Sequence, residues 1–152
     1  MISYFSEDIK FVLSRKRLVS KWLKELARQS QRSVGALNYI FCSDPYLLKI
    51  NKQYLGHDYL TDIITFDNAL DYAGQYPEGA LSGDIYISVD TVHYNGEAYG
   101  EGFDRELHRV IAHGLLHLIG FDDTTEALQI EMRRQENLAL HLWNQMLDQV
   151  EK

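Results

Sequence analysis

Cysteine, proline and long apolar runs are scarce in this 152-residue chain, which has one cysteine and two prolines. With Cys42 alone there is no intrachain disulfide and no thiolate cluster around a zinc ion. A single free thiol suits a reducing compartment. No stretch approaches the roughly 20 consecutive apolar residues of a membrane span. Residues 1–8 lack the basic stretch and apolar core of a secretory leader. The expectation is a cytoplasmic protein with no membrane partner. Repeats and low-complexity segments are also absent.

What remains is ordinary for a globular protein, with 45% hydrophobic and 24% charged residues. The length fits one domain, 1–152, with a real core. The net charge of -7 disfavours a polyanionic partner at first sight. The charge is uneven, however. Residues 1–32 carry eight basic and three acidic side chains, or +5, and the rest of the chain carries -12. A basic first helix on an acidic body has the form of an RNA-facing patch, and equally that of a solvated helix face.

Periodicity predicts an α+β fold of about four strands and five helices. Strands are expected over 2–7, 35–42, 62–66 and 81–89. In the second of these, Leu37, Tyr39 and Phe41 alternate. A helix is expected over 15–30, where Leu18, Val19, Trp22, Leu23 and Leu26 recur at helical spacing. Ser43-Asp44-Pro45 predicts a helix start, running to about Leu55. Asn68 to Glu78 reads as a loop. Asp90 is expected to cap a helix ending near Tyr94, and Gly96, Gly100 and Gly102 to mark a loop. An apolar helix over 104–118 is expected at the centre. A last helix is expected over 125–149, capped by Thr124 or Thr125.

The most specific pattern lies at the end of the central helix: His113-Gly-Leu-Leu-His117-Leu-Ile-Gly120-Phe-Asp122-Asp123. Two helical residues four apart lie roughly 40° apart around the axis, so both imidazoles can face one ion. Gly120 suits a helix stop that turns the chain back, and a carboxylate then approaches the same point. Asp123 fits the third-ligand spacing, and Asp122 competes with it. Three protein ligands plus an open position is the layout of a catalytic zinc site. The segment around the histidines is almost wholly apolar, and burying unpartnered imidazoles there would be costly. Zinc proteases of this spacing carry a Glu directly after the first His, whereas this chain has Gly114.

The stretch resembles the YbeY family of bacterial zinc-dependent endoribonucleases of ribosomal RNA maturation, whose signature reads H-G-x-L-H-L-x-G-Y-D-H. Two upstream segments are also similar. Asn51-Lys-Gln-Tyr54 with Thr61-Asp-Ile-Ile-Thr-Phe66 resembles N-x-x-Y and T-D-V-L-S-F, and Gly83-Asp-Ile-Tyr-Ile-Ser88 resembles G-D-I-x-I-S. The resemblance covers essentially the whole chain. It implies a mixed sheet with the metal in a cleft, one Zn2+ per chain on His113, His117 and Asp123, and RNA as substrate. Ribosomal RNA, ribosomal proteins and assembly proteins are the partners it implies. Besides the mild change of Tyr to Phe121, there are three departures. Asp123 replaces the family's last His. Leu55 stands where the family has an Arg suited to bidentate phosphate binding, which leaves His57, Lys52 or another cation for that task. Leu60 stands in place of a Pro.

Other residues receive plainer readings. His108 lies about 140° around the helix from His113 and is not expected to be a ligand. His93 and His141 are expected to be structural, and Trp22 and Trp143 to be core. Asp62 or Asp84 is a candidate acceptor for a ligand imidazole N–H. No side chain declares itself as a general base. Met132 offers no Met-turn argument. The competing functions are a zinc protease, disfavoured by Gly114, and a non-catalytic ribosome-assembly protein with a structural metal.

Overall fold

The structure, a computed structural model, describes residues 1–151. Four strands form one mixed sheet in the order β1-β2-β4-β3. These are β1 (Ile2–Ser6), β2 (Val34–Cys42), β3 (Ile63–Asp67) and β4 (Leu81–Ser88). The first three in sheet order run parallel, and β3 pairs antiparallel along β4 as an edge. The five α-helices are α1 (Lys16–Gln29), α2 (Asp44–Ile50), α3 (Val89–Ala98), α4 (Phe103–Ile119) and α5 (Glu126–Glu151).

The predicted helix of residues 15–30 is α1, and its apolar stripe is buried together with Ala27. Trp22 is fully buried and donates its indole N–H to the Ala139 carbonyl at 2.8 Å, joining α1 to α5. Trp143 packs beside it at 5.3 Å between ring centroids. Both tryptophans are core residues, as expected.

The α2 helix starts where Ser-Asp-Pro predicts. Ser43 is its cap and accepts from the Tyr46 N–H, and Pro45 lies in the first turn. It continues as a wider π turn over Asn51–Leu55. Buried Asn51 donates to the Tyr59 carbonyl at 2.9 Å and so holds the loop leading to β3.

Three local expectations are corrected. The helix after β4 extends to Ala98 rather than Tyr94, and Ser88 caps it rather than Asp90. Asp90 instead accepts from the backbone N–H of Asp44, at the head of α2. Gly96 lies inside this helix, not in a loop. A Cβ there would meet the Gly102 carbonyl oxygen at 2.7 Å, so the glycine lets the chain return closely over the helix. The segment 68–78 contains a 3-10 turn over Ala69–Tyr72.

The α4 helix lies across the sheet. Its residues Leu107, Val110, Ile111, Ala112, Leu115 and Leu118 enter the main core with Ile85 and Ile87. The Tyr39 hydroxyl donates to the Ile111 carbonyl at 2.8 Å, pinning α4 to the central strand two residues before His113. Contact with the sheet is close enough to require glycine at two motif positions. A Cβ on Gly114 would sit 2.9 Å from two carbons of Ile85, and one on Gly83 would sit 2.6 Å from the Phe66 carbonyl oxygen. Gly114 thus faces the sheet. A glutamate there would point into packed isoleucines rather than toward the histidines.

Candidate active site

A cleft of about 750 Å3 opens between α4, α5, the turn after α4, and the segment leading into β3. Its α4 wall carries a polar stripe: Glu106, Arg109, His113 and His117. These residues recur at three- and four-residue spacing, which places them on one face. The β3 side contributes Asp62, and the turn contributes Asp122 and Asp123.

His113 is held from behind by a residue absent from the sequence expectations. Glu136 of α5 is buried, and its Oε2 accepts from His113 Nδ1 at 2.7 Å. With the proton on Nδ1, the Nε2 lone pair is free, and Nε2 stands 3.6 Å from Asp123 Oδ2. A carboxylate on the far nitrogen is the usual device for fixing a metal-binding imidazole. Neither expected acceptor fills this role. Asp84 instead accepts from the Asn38 side-chain amide, and Asp62 lines the cleft nearby. The expectation failed because β3 and β4 run beneath α4, whereas α5 comes alongside His113.

Gly120 ends α4 at a φ of 128°, with its N–H returning to the carbonyls of Leu116 and His117. The chain then reverses as the motif predicts. Asp122 is occupied locally, since its Oδ1 accepts from the Asp123 N–H at 2.7 Å and its Oδ2 faces the Thr124 hydroxyl. The Asp123 carboxylate is thereby the one directed toward His113. The His117 ring is exposed, parallel to that of His113 within 7°, with centroids 6.3 Å apart. Among the described residues no three His, Cys, Asp or Glu side chains already form an ion-holding cluster. Closing His113, His117 and Asp123 around an ion therefore requires side-chain movement.

A buried ionic network supports this wall. Arg109, 5% exposed, donates to both oxygens of Glu101 at 3.0 and 3.1 Å and to the Asn137 side chain at 2.9 Å. It also faces Glu136 at 3.4 Å and Glu106 at 3.6 Å. Glu106 is 3% exposed, and its Oε1 has no hydrogen-bond partner. Burial, reinforced by the negative charge of Asp62, pushes its carboxyl up to about 7. Burial likewise raises Asp62, with Glu136 and Asp123 adding to the effect against the attraction of His113. Burial acts to lower His113, but its bond to Glu136 and the surrounding carboxylates outweigh this and hold it above its ordinary value.

His93, His108 and His141 lie outside the cleft. His108 stacks on Trp143 at 4.2 Å and is absent from the cleft wall, consistent with its exclusion as a ligand. His93 stacks on Phe103 at 3.8 Å. The basic residues of α1 do not line the cleft. Lys21, Lys24 and Arg28 border a separate groove against α5. Leu55 and His57 do line the cleft, whereas Lys52 pairs with Asp58 outside it.

Glu136, Glu106 and Arg109 belong to none of the motifs that sequence patterns single out. The available signal was their periodicity. Glu136 falls in the buried α5 series Met132, Glu136, Ala139, Leu140 and Trp143, and Glu106 and Arg109 fall on the histidine face of α4. A charge on an apolar stripe requires a partner.

Comparison with known proteins agrees with this architecture. The solution structure of a Thermotoga maritima protein superimposes with a TM-score of 0.65 and 25% identity, covering 98% of this chain and 93% of that one. Proteins named endoribonuclease YbeY are similar over most of their length. The one from Phocaeicola vulgatus is 48% identical, covering 93% of this chain and 98% of its own. That from Parabacteroides distasonis is 45% identical over 91% and 93%, and that from Cytophaga hutchinsonii 44% over 93% and 94%. The family profile described as endoribonuclease YbeY matches residues 2–144. With the histidine motif and the Asn51–Phe66 segment meeting at one cleft and the match running through nearly the whole chain, this protein belongs to the YbeY endoribonuclease family.

Proposed function

We propose that the chain is a single-strand-specific, metal-dependent endoribonuclease of ribosomal RNA maturation. It would act in the cytoplasm with one Zn2+ held by His113, His117 and Asp123. Ribosomal RNA is its proposed substrate, and ribosomal or assembly proteins are its proposed partners. The observation that carries the metal assignment is the placing of His113 between buried Glu136 and Asp123. Its Nδ1 is committed to buried Glu136, and its Nε2 faces Asp123. A nitrogen–nitrogen–carboxylate donor set suits zinc with one position left open.

When bound, such an ion supplies Lewis acidity toward a phosphate oxygen and acidifies water. The chain's own residues do the rest. Glu136 holds His113 in register, and Arg109 anchors Glu136 to Glu101 and Asn137. Glu106, pushed up to about 7, is the group best placed to carry a proton near neutral pH, and burial shifts Asp62 in the same direction.

The test is metal content together with cleavage. Purified protein should hold about one zinc per chain, and His117→Ala should lose it. Single-stranded RNA should be cut by the wild type, spared after chelation, and spared by His117→Ala. A protein without metal after growth in zinc-supplied medium would overturn the metal assignment. A zinc-loaded protein that leaves RNA intact would favour a non-catalytic assembly role.

A further inference from the structure

A cleft that takes an RNA strand must offset the charge of its own walls. Asp62, Glu106, Asp122, Asp123 and Glu136 line it, and the guanidinium groups that face them are Arg109 and Arg133. Arg109 is fully committed. Its side chain is 6% exposed, its two terminal nitrogens bond Glu101, Asn137 and Glu136, and its buried Nε faces Glu106 at 3.6 Å. Arg133 is different. Its side chain is 55% exposed, and its contact with Glu136 Oε1 is 3.7 Å, longer than a hydrogen bond.

Glu136 does not depend on that contact. One of its oxygens serves His113 and the other already faces Arg109. Arg133 can therefore turn to another anion without leaving a buried carboxylate unpaired. Its position on α5 is fixed by spacing, because Gln129, Met132, Arg133 and Glu136 form the cleft face of that helix. The adjacent Arg134 points away and is bound through two nitrogens to Glu131 at 2.8 Å. Leu55, on the opposite wall, offers no charge.

We infer that Arg133 is the phosphate-binding cation of this cleft, gripping a backbone phosphate of the RNA strand one carboxylate away from His113. The inference rests on the RNA-cleaving reading above. It assigns to α5 the task that a basic residue at the position of Leu55 would otherwise perform from α2. A guanidinium is suited to it, since its paired N–H groups match two phosphate oxygens.

The experiment is equilibrium binding of a short, fluorescently labelled single-stranded oligoribonucleotide by anisotropy. Chelator keeps the strand uncut, and the salt concentration is varied. Arg133→Ala should weaken binding about 10- to 100-fold and flatten the slope of log K against log salt by about 0.7. Arg133→Lys should keep the wild-type slope with part of the affinity lost. Arg134→Ala, one residue along but off the cleft, should bind like the wild type. Wild-type affinity and slope in Arg133→Ala would overturn the assignment. So would equal losses in the Arg133 and Arg134 variants, which would indicate a diffuse field. In a parallel titration with zinc present, a wild type that neither binds nor cuts the oligoribonucleotide would instead defeat the RNA reading itself.

Discussion

Glu106→Gln should make the stability of this protein less sensitive to pH. Glu106 is 3% exposed, its Oε1 lacks a partner, and burial with Asp62 nearby raises it from 4.5 to about 7. A carboxyl raised by folding binds its proton more tightly in the native state. Its contribution is fully present below 4.5 and is lost as pH rises through 7. The step from 4.5 to about 7, at ~1.4 kcal/mol per pH unit, amounts to about 3.5 kcal/mol in full; about 1.4 kcal/mol of it develops between pH 6 and pH 8.5. Starting at pH 6 avoids the isoelectric point near 5.3. The assay is urea unfolding of both proteins at the two pH values in chelator. The wild type should lose about 1.4 kcal/mol more than the variant over this interval. The cost of burying the glutamine amide is the same at both pH values and cancels. His113, also raised, loses its contribution in the same direction in both proteins. Identical pH dependence in the two would refute the reasoning.

Further consequences can be checked separately. Glu136→Gln keeps the shape but removes the charge behind His113, and zinc affinity by calorimetric titration should fall about 10- to 100-fold. Unchanged affinity would break the proposed link between the two residues. Gly83→Ala forces a Cβ against the Phe66 carbonyl oxygen. It should cost about 1–3 kcal/mol in urea unfolding at an unchanged m-value, and a neutral result would show that the strands can part there.

The elements of the fold were readable because their signals are local. The α1 stripe, the Ser43 cap and the alternation in β2 depend on residues within a few positions of one another. The helix after β4 was misjudged where glycine carried two meanings. Gly96 breaks no helix, because its purpose is contact with Gly102. The histidines, Gly120 and the returning carboxylates were legible for the same local reason. Glu136 was not, because it lies 23 residues beyond His113 on another helix. Periodicity shows that such a charge is buried but does not show which of several carboxylates meets the imidazole. The mixed sheet came from resemblance, since alternation cannot tell a parallel neighbour from an antiparallel one.

The bond between His113 and Glu136 also carries a kinetic meaning. His113, His117 and Asp123 lie within one short stretch, so a nascent or unfolded chain can already present all three as a loose chelate. The fixed tautomer arises only after α5 has docked, closing a loop of 23 residues. Time-resolved folding should therefore show two grades of metal affinity, a weak one belonging to the bare segment and a tighter one that appears with α5. Truncation ahead of Glu136 would leave the first and abolish the second, so a fragment that binds metal is no measure of a finished site.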